Sequence, residues 1–183
     1  MYCHKTLRIN YTSYNILYHQ DLLNPSTSNR FIMLPTQSED DSTPPHPFIY
    51  AKVLGVYHAQ VSYGKAVPHQ EDFVHVRWLY YNTDTAHWDC IGYEQCCTDQ
   101  DLPDSFNFIH PSDIIRAVHL IPDFQSGPSN NLLTFPKSIA HDSNKYWDWK
   151  YDYVNRFVDR DIMMRYLGGG IGHYSMPQKF CST

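Results

Sequence analysis

The chain has 183 residues, 42% of them hydrophobic and 18% charged, with a formal net charge of −5. That is enough for one domain with a buried core, and too apolar for a disordered tail. Its 8 glycines and 12 prolines exclude collagen-like and low-complexity classes, and the acidic balance argues against a basic nucleic-acid grip over the whole surface, although a local basic patch stays open.

The opening stretch MYCHKTLRIN has no apolar run of the kind a secretory signal needs. No segment approaches the roughly 20 apolar residues of a membrane helix. Five cysteines (Cys3, Cys90, Cys96, Cys97, Cys181) form no repeated frame, and their odd number favours a reducing compartment. The expected setting is therefore intracellular, with the nucleus as one option.

Residues 7–34 mix short apolar patches with turn signals. Asn24-Pro25-Ser26 reads as a turn and Phe31-Ile32-Met33-Leu34 as a short strand. Residues 37–47 (QSEDDSTPPHP) are acidic and proline-rich, so they read as a linker after an N-terminal arm, 1–36. A β-rich domain is expected over 48–167. Residues 48–63 are rich in β-formers, with apolar positions at Val53, Gly55, Tyr57, Ala59 and Val61. In 73–81, Val74, Val76, Trp78 and Tyr80 alternate onto one face, the pattern of a half-buried antiparallel strand. Residues 64–70 then form the connecting loop, and 89–97 a weaker third strand. His110-Pro111 interrupts the next segment. Ser112 is expected to cap a helical turn through Ile114 and Ile115, followed by a strand over 117–121. Alternation returns at Trp147, Trp149, Tyr151, Tyr153 and Phe157, again as a strand. Asp159 suits the N-cap of a helix over 160–167, because its carboxylate can accept from the free amides of the first turn. Gly168 suits the stop. Residues 168–183 form a glycine-rich turn and tail. The fold class expected is mainly β: a small SH3-like antiparallel barrel or open sheet, with an N-terminal arm and a short C-terminal helix.

Candidate chemistry is sparse. His87, Cys90, Cys96 and Cys97 lie close together, with Cys3 and His4 at the start. Only His87 and Cys90 have the spacing of a zinc-ligand pair, and adjacent Cys96 and Cys97 fit one ion poorly. Free cysteines are the simpler reading, and no metal ligand is assigned. Asp159 and Asp161, with Asp148 and Asp152 nearby, invite comparison with metal-binding carboxylates of phosphoryl-transfer nucleases. A helix cap and a first-turn acid explain the first two more simply. There is no G-x-S-x-G motif. The run Gly168–Gly172 follows a predicted helix rather than a strand, unlike a phosphate loop. No catalytic residue and no cofactor site are expected. The positions with potential for ligand or nucleic-acid contact are Tyr57, Tyr81, Trp88, Arg156, Arg160 and Arg165. The aromatics could line a pocket for a cationic group, although Trp78 and Tyr80 fit the core better. The arginines could meet phosphates, although neighbouring aspartates offset them.

The blocks RINYTSYN (8–15), HQDLLNP (19–25), FIYAKVLGVYHAQV (48–61), FVHVRWLYY (73–81), FNFIHPSDIIRAVHLIPDF (106–124) and YVNRFVDRDIMMRYLGGGIGH (153–173) occur in this order. Together they resemble the C-terminal region of proteins encoded by fungal DNA transposons of the Plavaka and related CACTA-like or KDZ-like type. The resemblance covers nearly the whole chain, and its last block is the most specific. The V-R-W strand also resembles one in SH3-like barrels of the bromo-adjacent-homology kind, a likeness of fold alone. Residues 83–100 depart from the pattern. The resemblance implies a transposase-associated tail whose nuclease lies upstream, and it lends no catalytic residue. The expected function is a non-catalytic accessory module that contacts protein or chromatin, with no membrane and no small-molecule substrate. Direct DNA binding through Arg156, Arg160 and Arg165 is one alternative, and an inactive remnant of a decayed element is another.

Overall fold

The computed structural model describes residues 1–36, 48–62, 64, 67–81, 95–97, 105–127 and 149–167. The architecture is mainly β, with antiparallel pairing throughout and one short helix among the described residues. A nine-stranded sheet holds β1 (Tyr2–His4), β4 (Phe31–Pro35), β5 (Phe48–Val61), β6 (His69–Tyr81), β7 (Gln95–Cys97), β8 (Phe106–Ile109), β9 (Arg116–Ala117), β10 (Leu120–Pro122) and β11 (Tyr151–Val154). Its main path runs β10-β11-β7-β6-β5-β4-β9, with β1 paired to β5 and β8 paired to β6. A separate hairpin joins β2 (Leu7–Thr12) to β3 (Tyr18–Leu23). No closed barrel forms among the described residues. Of the two architectures expected, an open sheet is observed among the described residues. Segment 116–122 pairs with β4 through its first half and with β11 through its second.

The two long strands form where period-2 alternation is strongest, and β5 pairs with β6 from Tyr50↔Leu79 to Val61↔His69. The pairing slips by one residue between Val53 and Gly55. A β-bulge of this kind re-aims the side chains beyond it. The expected alternation Val53, Gly55, Tyr57 is therefore wrong as a single face. Val56, opposite Val74, continues the core face of Val53, while Gly55 and Tyr57 lie on the other face.

The sheet is buried on both sides, which explains the unbroken apolar run of β4. On one side Ile32, Leu34, Ala51, Val53, Val56, Val74 and Val76 pack under Ile9 and Leu23 of the β2–β3 hairpin. On the other, Met33, Phe48, Tyr50 and Leu79 pack with Val118, Leu120 and Val154, and Tyr166 joins from the helix. The expected arm is thus woven into the domain: it supplies β1, β4 and the covering hairpin.

Two local expectations are corrected. His110, not Ser112, caps the turn, which is a single 3-10 turn over Pro111–Asp113, with the His110 ring accepting from the Ser112 amide. The strand near the C-terminus is shorter than its aromatic alternation suggests. It ends at Val154, and Phe157 lies in the turn that follows. The helix α1 (Arg160–Leu167) forms where expected, and the Ile162 amide donates to the Asp159 carboxylate at 2.8 Å. That bond satisfies one of the free donors at a helix start. Gly168 and the tail lie outside the described residues. No helix among the described residues is long and apolar enough to cross a membrane.

Candidate binding surface

Beyond the bulge, one face of the sheet is aromatic. β6 alternates, so Phe73, His75 and Arg77 point away from buried Val74 and Val76. β8 pairs with this stretch and sets Phe108 opposite His75 and Phe106 opposite Arg77. β5 adds Tyr57 opposite Phe73. The rings meet in series. Tyr57 stacks on Phe73 with centroids 5.6 Å apart, Phe73 meets the edge of Phe108 at 5.6 Å, and Phe108 stacks on His75 at 4.8 Å. The Arg77 guanidinium lies over the Phe106 ring at 5.7 Å. Offset and edge contacts of this kind are the favoured geometries for aromatic pairs. The series is anchored on its β5 side and open on its β8 side. Phe106 is 48% and Phe108 60% exposed. Burial pushes the His75 imidazole below its ordinary pKa, which keeps it uncharged at neutral pH. Gly55 makes room for Tyr57: a Cβ there would fall 2.6 Å from carbons of the Tyr57 ring.

A second cluster is polar and largely buried, with Asp159 at its open edge. Arg116, on β9, is buried beneath the hairpin and the start of α1. Its guanidinium donates to Asp161 at 2.8 Å and to Asp159 at 2.8 Å, and its Nε lies 3.3 Å from Asp21. The Tyr11 ring covers it at 4.3 Å. Asp161 accepts further bonds from Arg165 at 2.8 Å and from the Tyr14 amide at 2.7 Å. Asp21 accepts from the Ala117 amide at 3.0 Å. Burial alone would raise the Asp161 pKa, but the hydrogen bonds from Arg165 and Arg116 outweigh it and hold the carboxyl below its ordinary range. For Arg116, burial opposes the charge, and the facing Asp21 and Asp159 restore it and more. The Tyr11 hydroxyl is raised, chiefly by burial. The cluster therefore ties hairpin, sheet and helix together through ion pairs and hydrogen bonds, although the Arg116 Nε meets Asp21 only as an ion pair and makes no hydrogen bond. Asp159 and Asp161 face guanidinium groups, not an open metal position. Among the described residues, no group of three or more His, Cys, Asp or Glu side chains is arranged to hold a metal ion.

The six positions singled out from sequence scatter. Tyr57 lies in the aromatic series. Arg165 bonds Asp161 and, at 2.9 Å, the Thr12 carbonyl. Arg160 lies over the Tyr14 ring at 5.1 Å, and Arg156 lies near the Phe157 and Tyr166 rings at 5.4 and 5.8 Å. The three arginines do not converge on one open surface. The Tyr81 side chain and Trp88 lie outside the described residues, as do His87, Cys90 and the side chains of Cys96 and Cys97. Trp78 packs against the first core cluster, as its alternation implied. Sequence reasoning missed Phe73, His75, Phe106 and Phe108. The period-2 spacing of Phe106 and Phe108 was a signal for a strand face, but not for which strand would receive it. Comparisons with protein-family models, with curated proteins and with solved structures return no match.

Proposed function

We propose that the chain is a non-catalytic binding module that grips a protein partner through the aromatic face of β5, β6 and β8, and that it belongs to the accessory region of a fungal transposon-encoded protein. The observation that carries this is the pair Phe106 and Phe108, 48% and 60% exposed at the open end of a packed ring series. Contact residues of protein interfaces are enriched in aromatic side chains and arginine. The transposon origin rests on the sequence blocks alone, and the chromatin setting follows from it. An SH3-like barrel remains part of the proposal. Its support is segment 116–122, which passes from β4 to β11 much as a strand turns the corner of a small barrel.

The test is capture of partners from cells with the wild-type chain and with a Phe106→Ser/Phe108→Ser variant, each partner then being checked with purified components. A partner bound by the wild type and lost in the variant is expected. Equal binding by the folded variant would refute the assignment of the face. A duplex-DNA complex that weakens steeply with salt would favour direct DNA binding instead. That alternative has less support, because Arg156 and Arg165 are half-buried and Arg165 is committed to Asp161.

A further inference from the structure

We propose that His4 and His58 form a two-histidine clip for a divalent transition-metal ion, independent of the aromatic face. Strand β1 pairs with β5 so that Tyr2 lies opposite His58 and His4 opposite Val56. Side chains alternate along a strand, so Tyr2, His4 and His58 share one side of the sheet, while Cys3 and Tyr57 take the other. The Nε2 atom of His4 and the Nδ1 atom of His58 lie 2.5 Å apart in a hydrogen bond at the surface. Tyr2 stacks on the His58 ring with centroids 4.7 Å apart, which fixes its plane. Two imidazole nitrogens thus converge on one point that solvent can reach.

Neutral imidazole is a good ligand for zinc, copper and nickel, and it binds through a nitrogen lone pair. In the present pair, one nitrogen carries the proton that the other accepts. Metal binding needs that proton moved to the far nitrogen of the same ring, a change of tautomer with no net proton released. His4 then offers Nε2 and His58 offers Nδ1. Ligand bonds of about 2.0–2.1 Å place two such nitrogens about 3.3 Å apart around one tetrahedral ion. Rotation of the two side chains must widen their separation by about 0.8 Å to supply the difference. The remaining coordination positions are open to water or to a ligand from outside. Asp72 on β6 is the cross-strand partner of His58 on the same side, where its carboxylate accepts from Gln70 at 2.8 Å. It adds negative charge beside the ion without being a required ligand. The chemical class is a borderline-soft divalent cation, not magnesium or calcium, which prefer oxygen.

The clip has a structural consequence. β1 is a three-residue strand held to the domain by β5. An ion shared by His4 and His58 would pin it, and any ligand that binds only the native state raises stability. The probe is zinc(II), which is redox-inert and leaves the thiol of Cys3 unoxidised. Calorimetric titration of the full chain is expected to give one site per chain, with a higher Tm in its presence. His4→Gln and His58→Gln should each weaken that site by more than about tenfold, since loss of even an outer-shell partner costs 10–100-fold. His69→Gln, at an exposed histidine paired with Glu71, should leave it unchanged, as should Cys3→Ser. His4 is exposed and His58 half-buried, and neither belongs to the core clusters, so the variants are expected to fold, which the unliganded Tm checks. Absence of zinc binding, binding that survives both Gln variants, or loss on Cys3→Ser would each overturn the clip.

Discussion

Around Arg116, three carboxylates, two guanidinium groups and three backbone amides meet with most of their bonding capacity turned inward. Across Tyr57, Phe73, His75, Phe106 and Phe108, rings of similar number meet with one edge of the series open to water. Both clusters join elements far apart in sequence. Asp159 and Arg116 are 43 residues apart, and Asp21 and Ala117 are 96 apart. The first is built like a clamp, because each buried charge has a partner and removal of one strands the others. The second is built differently, because its inner rings pack against outer rings, Phe106 and Phe108, that stay about half exposed. If the aromatic face is the binding surface proposed above, stability and recognition are separated in this domain. The polar cluster should respond to perturbation through folding, and the aromatic one through binding.

The largest expected effect comes from Arg116→Ala. It leaves Asp21, Asp159 and Asp161 facing one another without their shared cation. Breaking a buried ion pair from one side costs about 3–5 kcal/mol, and the denaturant midpoint measures it. A fall of less than about 1 kcal/mol would show the clamp to be an exposed ion pair in energetic terms.

Acid should reproduce part of that loss without mutation. The Asp161 pKa is lower in the folded chain than its ordinary value of 3.8. The unfolded chain therefore takes up the proton first as pH falls. The stabilisation is complete well above pH 4 and is lost as pH drops through the folded-state value. Urea midpoints measured between pH 7 and pH 3 should fall, and fall less in Asp161→Asn, which no longer titrates there. Parallel curves for the two proteins would place the acid sensitivity elsewhere.

The clamp also shows what could be read from sequence and what could not. The cap role of Asp159 was legible, because N-capping is local and Asp159 stands directly before a helical pattern. Its bond to Arg116 was not, since no periodicity spans 43 residues. The long strands β5 and β6 were legible from Val74, Val76 and Trp78, whose alternation matches their packing. The bulge after Val53 was not, because one inserted residue leaves composition and hydropathy unchanged while it reverses every later side chain on the strand. Tyr57 was singled out for its type and then assigned to the wrong face. The hairpin 7–23 lacked a clean pattern, because its tip carries Ile16 and Leu17 at the surface, with Ile16 at a φ of 66° that β-branched residues rarely adopt.

Gly55→Ala tests the bulge and the aromatic series together. The added methyl would collide with the Tyr57 ring, whose side chain can swing away where backbone could not. The expected cost is at the low end of overpacking, about 1 kcal/mol, with the Tyr57–Phe73 stack broken. Aromatic ring shifts in NMR spectra would report the displaced Tyr57, and partner affinity should fall. An unchanged spectrum would mean that the ring does not lie over Gly55 in solution.

The smallest effect on stability should come from Phe108→Ser, and it divides the two clusters most sharply. Phe108 is 60% exposed, yet it touches both Phe73 and His75. Loss of those contacts costs about 0.5–1.5 kcal/mol. Because the ring lies on the open side of the series, a partner seated on the face would lose its outermost anchor, and truncation of such an anchor in an interface typically costs about 2 kcal/mol or more. Binding should therefore weaken more than folding does, whereas Arg116→Ala should destabilise the fold and leave the affinity of the remaining folded fraction intact. If Phe108→Ser instead destabilises the fold as much as it weakens binding, the aromatic series belongs to the core, and the separation between clamp and surface does not hold.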